Sequence, residues 1–168
     1  MNRQILLETL GNLRFLNGVT EKHLEDLTGI ARLEEYDEGD VLFAEGEPVD
    51  DVYLVIDGEV ALEVSSSGIC PQQLLVLAAG ESIGWSALMY RTHRMATAKV
   101  TAPTRVFRFD GMRLLALCEE HPRFGYQIMR ATVAALAARL HALQLRFFDI
   151  YRLQPGGFTC GAFEIGVD

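Results

Sequence analysis

Cysteine is scarce, tryptophan occurs once, and no apolar run approaches the length of a membrane span. The three cysteines, Cys70, Cys118 and Cys160, are odd in number and far apart. That fits reduced structural thiols and supplies no spacing for a structural zinc or an iron–sulfur cluster. The longest apolar stretches fall well short of the ~20 residues a spanning helix needs. Residues 1–16 also lack the basic start and small-residue cleavage site of a signal peptide. The expectation is a soluble cytoplasmic protein with no membrane partner. The four histidines, His23, His93, His121 and His141, share no ligand spacing, and solvated or capping roles are expected for them. No Ser/His/Asp or Cys/His arrangement can be assembled, so an enzyme is not expected.

Basic residues are missing from a third of the chain. Between Leu33 and Tyr90 there is no Lys or Arg, against thirteen acids. From Arg91 to Arg152 the balance reverses, with eleven basic residues facing only Asp110, Glu119, Glu120 and Asp149. Most of these charges read as solvated faces. The net charge of −8 speaks against nucleic acid, whose phosphates must be neutralised by the protein.

What is present is a chain of 168 residues, 49% apolar, enough for one core and one domain. Residues 4–16 place Ile5, Leu6, Leu10, Leu13 and Leu16 at helical spacing with a break at Gly11. Thr20 can cap a second helix over 21–28. From residue 31 the period changes to two, with strands expected at 32–36, 41–44, 51–56, 59–65 and 74–77. Asp57-Gly58 reads as a tight hairpin turn, because both central positions tolerate positive φ. Strands at 97–102 and 105–110 are split by Pro103. Asp110 caps a short helix over 111–120, and Pro122 opens a long one. On it Met129, Val133, Leu136, Leu140, Leu143, Phe147 and Ile150 form an a/d seam suited to a parallel two-stranded coiled coil, so a homodimer through residues 129–150 is expected. The alternative is that the stripe packs on its own domain.

The stretch at 80–100, GESIGWSALMYRTHRMATAKV, is built to hold a small anion. Gly84 permits close backbone approach, amides at the helix start after it point to a common spot, and the fork of Arg94 matches a phosphate. A strand follows. This stretch resembles the phosphate-binding cassette of cyclic-nucleotide-binding domains, the family of the catabolite activator protein, the FNR regulators and the regulatory subunit of protein kinase A. Gly84, Ala87, Leu88, Arg94 and Ala96 match its pattern. Trp85 stands where the family places the Glu that accepts the ribose 2′-hydroxyl, and Met95 where it prefers a small residue. GDVLFAEGEPVDDVYLVIDGEVALEV is similar to the family's first half, and the resemblance covers roughly residues 10–150. It implies an α+β, mainly β fold: a double-stranded β-helix or jelly-roll-like β-roll (31–110), N-terminal helices (1–30), C-terminal helices (111–152, dimer helix 122–151) and a tail (153–168).

The resemblance implies a stand-alone regulatory module that senses cyclic AMP or cyclic GMP, needs no cofactor and signals through an effector protein. The ligand-binding residues it implies are Gly84, Trp85, Ser86, Ala87, Leu88, Arg94, Met95 and Arg139, the base-contacting position falling near Arg139 and Leu140. Arg139 is not the small hydroxyl residue expected for adenine, so base identity stays open. Ser86 and Thr97 could reach phosphate through their hydroxyls. Trp85 either stacks on a planar ligand or fills the ribose pocket and leaves a dimeric docking scaffold. A sensor of another small molecule is the further alternative. Sixteen residues follow Arg152, too few for a winged helix-turn-helix, and DNA binding is not expected.

Overall fold

Apolar residues alternate along two long segments, 51–66 and 97–110, and in the structure each is one unbroken strand. The computed structural model describes residues 3–66, 69–89 and 93–152. The tail at 153–168, Arg91 and Cys160 lie outside them. The elements are α1 (Arg3–Gly11), a 3-10 turn (Arg14–Leu16), α2 (Glu21–Ile30), β1 (Ala31–Tyr36), β2 (Val41–Phe43), β3 (Asp51–Ser66), β4 (Ile69–Ala78) and β5 (Ser82–Ile83). A second 3-10 turn (Trp85–Leu88), β6 (Thr97–Asp110), α3 (Gly111–Glu120) and α4 (Pro122–Arg152) complete them. All pairings are antiparallel, in the order β1-β6-β3-β4, with β2 on β6 and β5 on β3. This is the β-roll between helices that the sequence led us to expect.

β4 begins five residues before the expected 74–77 strand, and two expected interruptions are absent, for one reason. Asp57-Gly58 is not a hairpin turn, and Pro103 does not divide β6. Both lie where β3 and β6 bend together, and the register shifts around Asp57 and Glu59. Gly58 takes φ +87°, a conformation open to glycine at little cost. A Cβ there would collide with the Thr104 hydroxyl and the Pro103 carbonyl. The Thr104 hydroxyl accepts from Glu59 N–H (3.0 Å) and donates to the Ala102 carbonyl (2.6 Å). Local turn chemistry gave way to the longer β3–β6 ladder, and the glycine became a bulge.

Burial on both faces of β3 and β6 creates two cores. Val52, Leu54, Phe107 and Phe109 pack outward against Leu10, Leu16, Leu27, Leu114, Phe124 and Ile128 of the helices. Tyr53, Val55, Val60 and Val106 face into the roll with Phe43, Leu77, Ile83, Ala98 and Val100. Asp110 caps α3 as expected, accepting from Arg113 N–H at 2.9 Å. Thr20 precedes α2 but makes no side-chain cap bond; its hydroxyl lies 3.0 Å from His23 Nδ1 instead.

On α4 the a/d seam is split. Val133 and Leu140 are 64% and 60% exposed, whereas Met129, Leu136 and Leu143 are half-buried against the rest of the chain. No helix among the described residues is long and apolar enough to cross a membrane.

Two outcomes test this packing. Gly58→Ala should cost about 2–4 kcal/mol in urea unfolding, from positive φ plus collision with backbone. Burial, with Glu119 nearby, pushes the Cys118 thiol up to about 11, and burial also raises the Tyr36 and Tyr53 phenols. A folded state that holds a proton more tightly than the unfolded chain keeps that stability below the unfolded value and loses it as pH climbs. The urea midpoint should therefore fall between about pH 9 and pH 11, less steeply in Cys118→Ala. In native protein the exposed Cys70 should react with thiol reagents well before Cys118.

Candidate functional site

Gly84 turns the chain from β5 into the 3-10 turn with φ +81°. A Cβ at this position would lie 2.6 Å from the Asp51 carbonyl and 2.7 Å from Arg94 Nη1. Only glycine lets the backbone come this close to the guanidinium. Ala87 N–H returns to the Gly84 carbonyl at 3.0 Å, so the amides of Trp85 and Ser86 head the turn with no acceptor before them inside it.

Arg94 is 5% exposed. Its Nη2 donates to the Asp51 carbonyl (2.9 Å), its Nη1 lies 3.4 Å from the Gly84 carbonyl, and the guanidinium stacks 4.1 Å from the Phe43 ring centre. Nε is buried without a hydrogen-bond partner among the described residues. Burial pulls its pKa down, against the nearby Tyr53, Asp51, Asp50 and Glu47, which hold it up.

Arg139 comes to the same place from α4. It is 8% exposed, its Nη2 donates to the Ser82 carbonyl, and its Nε too is buried with no partner among the described residues. Burial lowers its pKa, opposed by Glu81. Neither guanidinium has an ion-pair partner among the described residues. The Asp51 carboxylate, whose carbonyl holds Arg94, is itself engaged elsewhere: it takes Arg108 Nη2 at 2.5 Å, and Arg108 also reaches Glu34 at 3.2 Å.

A cavity of about 60 Å³ lies between these two side chains, lined also by Phe43, Trp85, Ser86 and Met95. It is open to solvent and has room for several waters. Of the residues singled out in the sequence, Gly84, Trp85, Ser86, Arg94, Met95, Ala96 and Arg139 line it. Ala87 and Leu88 do not; they pack into the helix-side core, with Leu88 6% exposed. Thr97 is also elsewhere, its hydroxyl accepting from Glu45 N–H at 3.0 Å. Sequence reasoning missed two other features. Ser82 supplies the carbonyl that receives Arg139, although no strand was expected there. His23 and His121, without common spacing, meet at the α2–α3 contact with ring centres 5.0 Å apart.

The family model described as the cyclic nucleotide-binding domain matches residues 33–121. A crystal structure of a candidate cyclic nucleotide-binding protein from Geobacter metallireducens GS-15 superposes with a TM-score of 0.70 at 28% identity, covering 84% of this chain and 99% of that one. A cyclic nucleotide-binding domain from Methylobacillus flagellatus KT gives 0.74 at 20% identity, covering 88% and 83%. A protein from Rhodopseudomonas palustris, named as a candidate potassium channel, is 26% identical over 110 residues, which are 66% of this chain. The chain spans about a quarter of that relative's length, 26%. The matched segment contains the roll, the turn at Gly84 and Arg94, and the chain belongs to the cyclic nucleotide-binding domain family.

Proposed function

We propose that the chain is a sensory module that takes a small anion, a cyclic nucleotide bound weakly, at the cavity between the Gly84 turn and α4. One observation carries this reading. Two guanidiniums are buried on one small cavity, each with an Nε that has no partner among the described residues and neither in a salt bridge with a described carboxylate. A buried charge without an ion partner is costly, and an entering phosphate would offset that cost with charge-assisted hydrogen bonds. Trp85 in place of the ribose acceptor removes an interaction of about 1.5–3 kcal/mol, which corresponds to roughly ten- to a hundredfold weaker binding.

The same geometry suggests how occupancy reaches α4. Arg139 ties the helix to the Ser82 carbonyl of β5, and about two turns further Arg146 ties it to the Leu74 carbonyl of β4. An anion that draws Arg139 away from Ser82 loosens one of these two ties, and binding shifts α4 by the difference in affinity between the two arrangements. The row of Val133 and Leu140 then presents an apolar seam to a second copy. The receiver of the signal is an effector protein rather than a reaction catalysed by this chain.

A second reading is favoured by the size of the cavity and by the Arg94 donors already directed at carbonyls: the pocket is closed, and the fold is a dimeric docking piece. Titration with cyclic AMP and cyclic GMP, followed by the single tryptophan's fluorescence and by melting temperature, separates the two. The sensor reading expects saturable binding, weakened about tenfold or more by Arg94→Gln and by Arg139→Gln, on the scale of one charge-assisted bond. No response up to about 1 mM, where binding free energy is about −4 kcal/mol, leaves the docking piece. Sedimentation should show a dimer that Leu140→Glu converts to a monomer; a wild-type monomer would remove the seam from the proposal.

A further inference from the structure

Away from the cavity, three side chains from two distant parts of the sequence converge where the N-terminal helices meet the α3–α4 junction. His23 and Asp26 stand three residues apart on α2, so they share a face of that helix. His121 closes α3 immediately before Pro122 begins α4. One ligand atom from each, an imidazole nitrogen or a carboxylate oxygen, lies within 4.8 Å of the others, and all three residues are half-buried. We propose that His23, Asp26 and His121 form a site for a single divalent transition-metal ion, zinc being the best fit.

Asp26 Oδ2 is shielded from water and has no hydrogen-bond partner among the described residues. Its approach to His121 Nε2, at 4.0 Å, is too long for a hydrogen bond. A buried carboxylate oxygen in that position calls for a cation. His23 is oriented for the purpose: its Nδ1 is 3.0 Å from the Thr20 hydroxyl, which fixes the ring and leaves Nε2 to coordinate. The Phe124 ring, 5.2 Å from that of His23, forms an apolar wall beside the site. Two imidazoles and one carboxylate suit zinc and its neighbours, whereas calcium and magnesium prefer all-oxygen shells. Three protein ligands leave a fourth position for water. An ion held this way ties α2 to the point where α3 passes into α4, and so fixes the root of the helix that carries Arg139.

The test uses the full chain without an affinity tag, stripped with chelator and titrated with zinc by calorimetry and with cobalt by visible absorption. One equivalent should bind and raise the melting temperature, and cobalt should show d–d bands of a low-coordinate site without thiolate charge transfer. His23→Gln and His121→Gln should each weaken binding at least about tenfold, and Thr20→Val should weaken it by about tenfold. Cys70→Ser and Cys160→Ser should bind as wild type. Unchanged metal-free melting and circular dichroism show that the variants fold. Absence of saturable binding by folded wild-type protein overturns the site. So does binding that survives His121→Gln or disappears with the cysteines.

Discussion

The enclosure of one guanidinium governs the site. Arg94 is held by the Asp51 carbonyl, by the carbonyl of Gly84 and by the face of Phe43. A stacked, desolvated guanidinium gains on the order of 2 kcal/mol from such a ring, and its remaining donors need acceptors. Those acceptors come from backbone rather than from carboxylates. This difference matters, because a carboxylate would neutralise the charge while a carbonyl leaves it able to meet an anion. Of the thirteen acids between Leu33 and Tyr90, three are drawn to other arginines: Arg108 takes Glu34 and Asp51, and Arg105 takes Asp57.

Everything near that guanidinium follows from its fit. Gly84 must lack a Cβ, since Asp51 and Arg94 occupy the space where one would lie. β3 supplies the Asp51 carbonyl from its first residue, while the same residue's carboxylate engages Arg108 of β6. The two longest strands and the 3-10 turn are therefore fastened at one point. Arg139 approaches from the helix side and completes a pair of like charges across a small cavity. Like charges brought together in a protein interior raise the demand for an anion between them.

Much of this was legible in the sequence, unevenly. α3 was readable to the residue, because Asp110 caps it and Pro122 limits it, both strong local signals. The break after Gly11 was equally plain. Gly58 misled because Asp-Gly is a good hairpin turn locally, and nothing local reveals that β3 continues to pair with β6 on both sides of it. Pro103 misled in the same way: it sits at the bend, where a missing N–H interrupts the ladder least. Gly84 and Arg94 were found through spacing and resemblance, and the structure brings them together. Leu88 shares the same motif yet serves the core, since a cassette turn must anchor itself as well as present its amides. His23 and His121 carried no signal because their proximity is made by helix packing alone.

The central claim is that the Nε–H groups of Arg94 and Arg139 await the same anion. The most direct measurement is nuclear magnetic resonance of the arginine Nε–H signals during titration with cyclic AMP, cyclic GMP and the uncharged nucleosides. Both signals should move together with at least one cyclic nucleotide and stay in place with adenosine and guanosine. Nε–H signals that remain fixed while other resonances saturate, or that respond equally to the uncharged nucleosides, would contradict it.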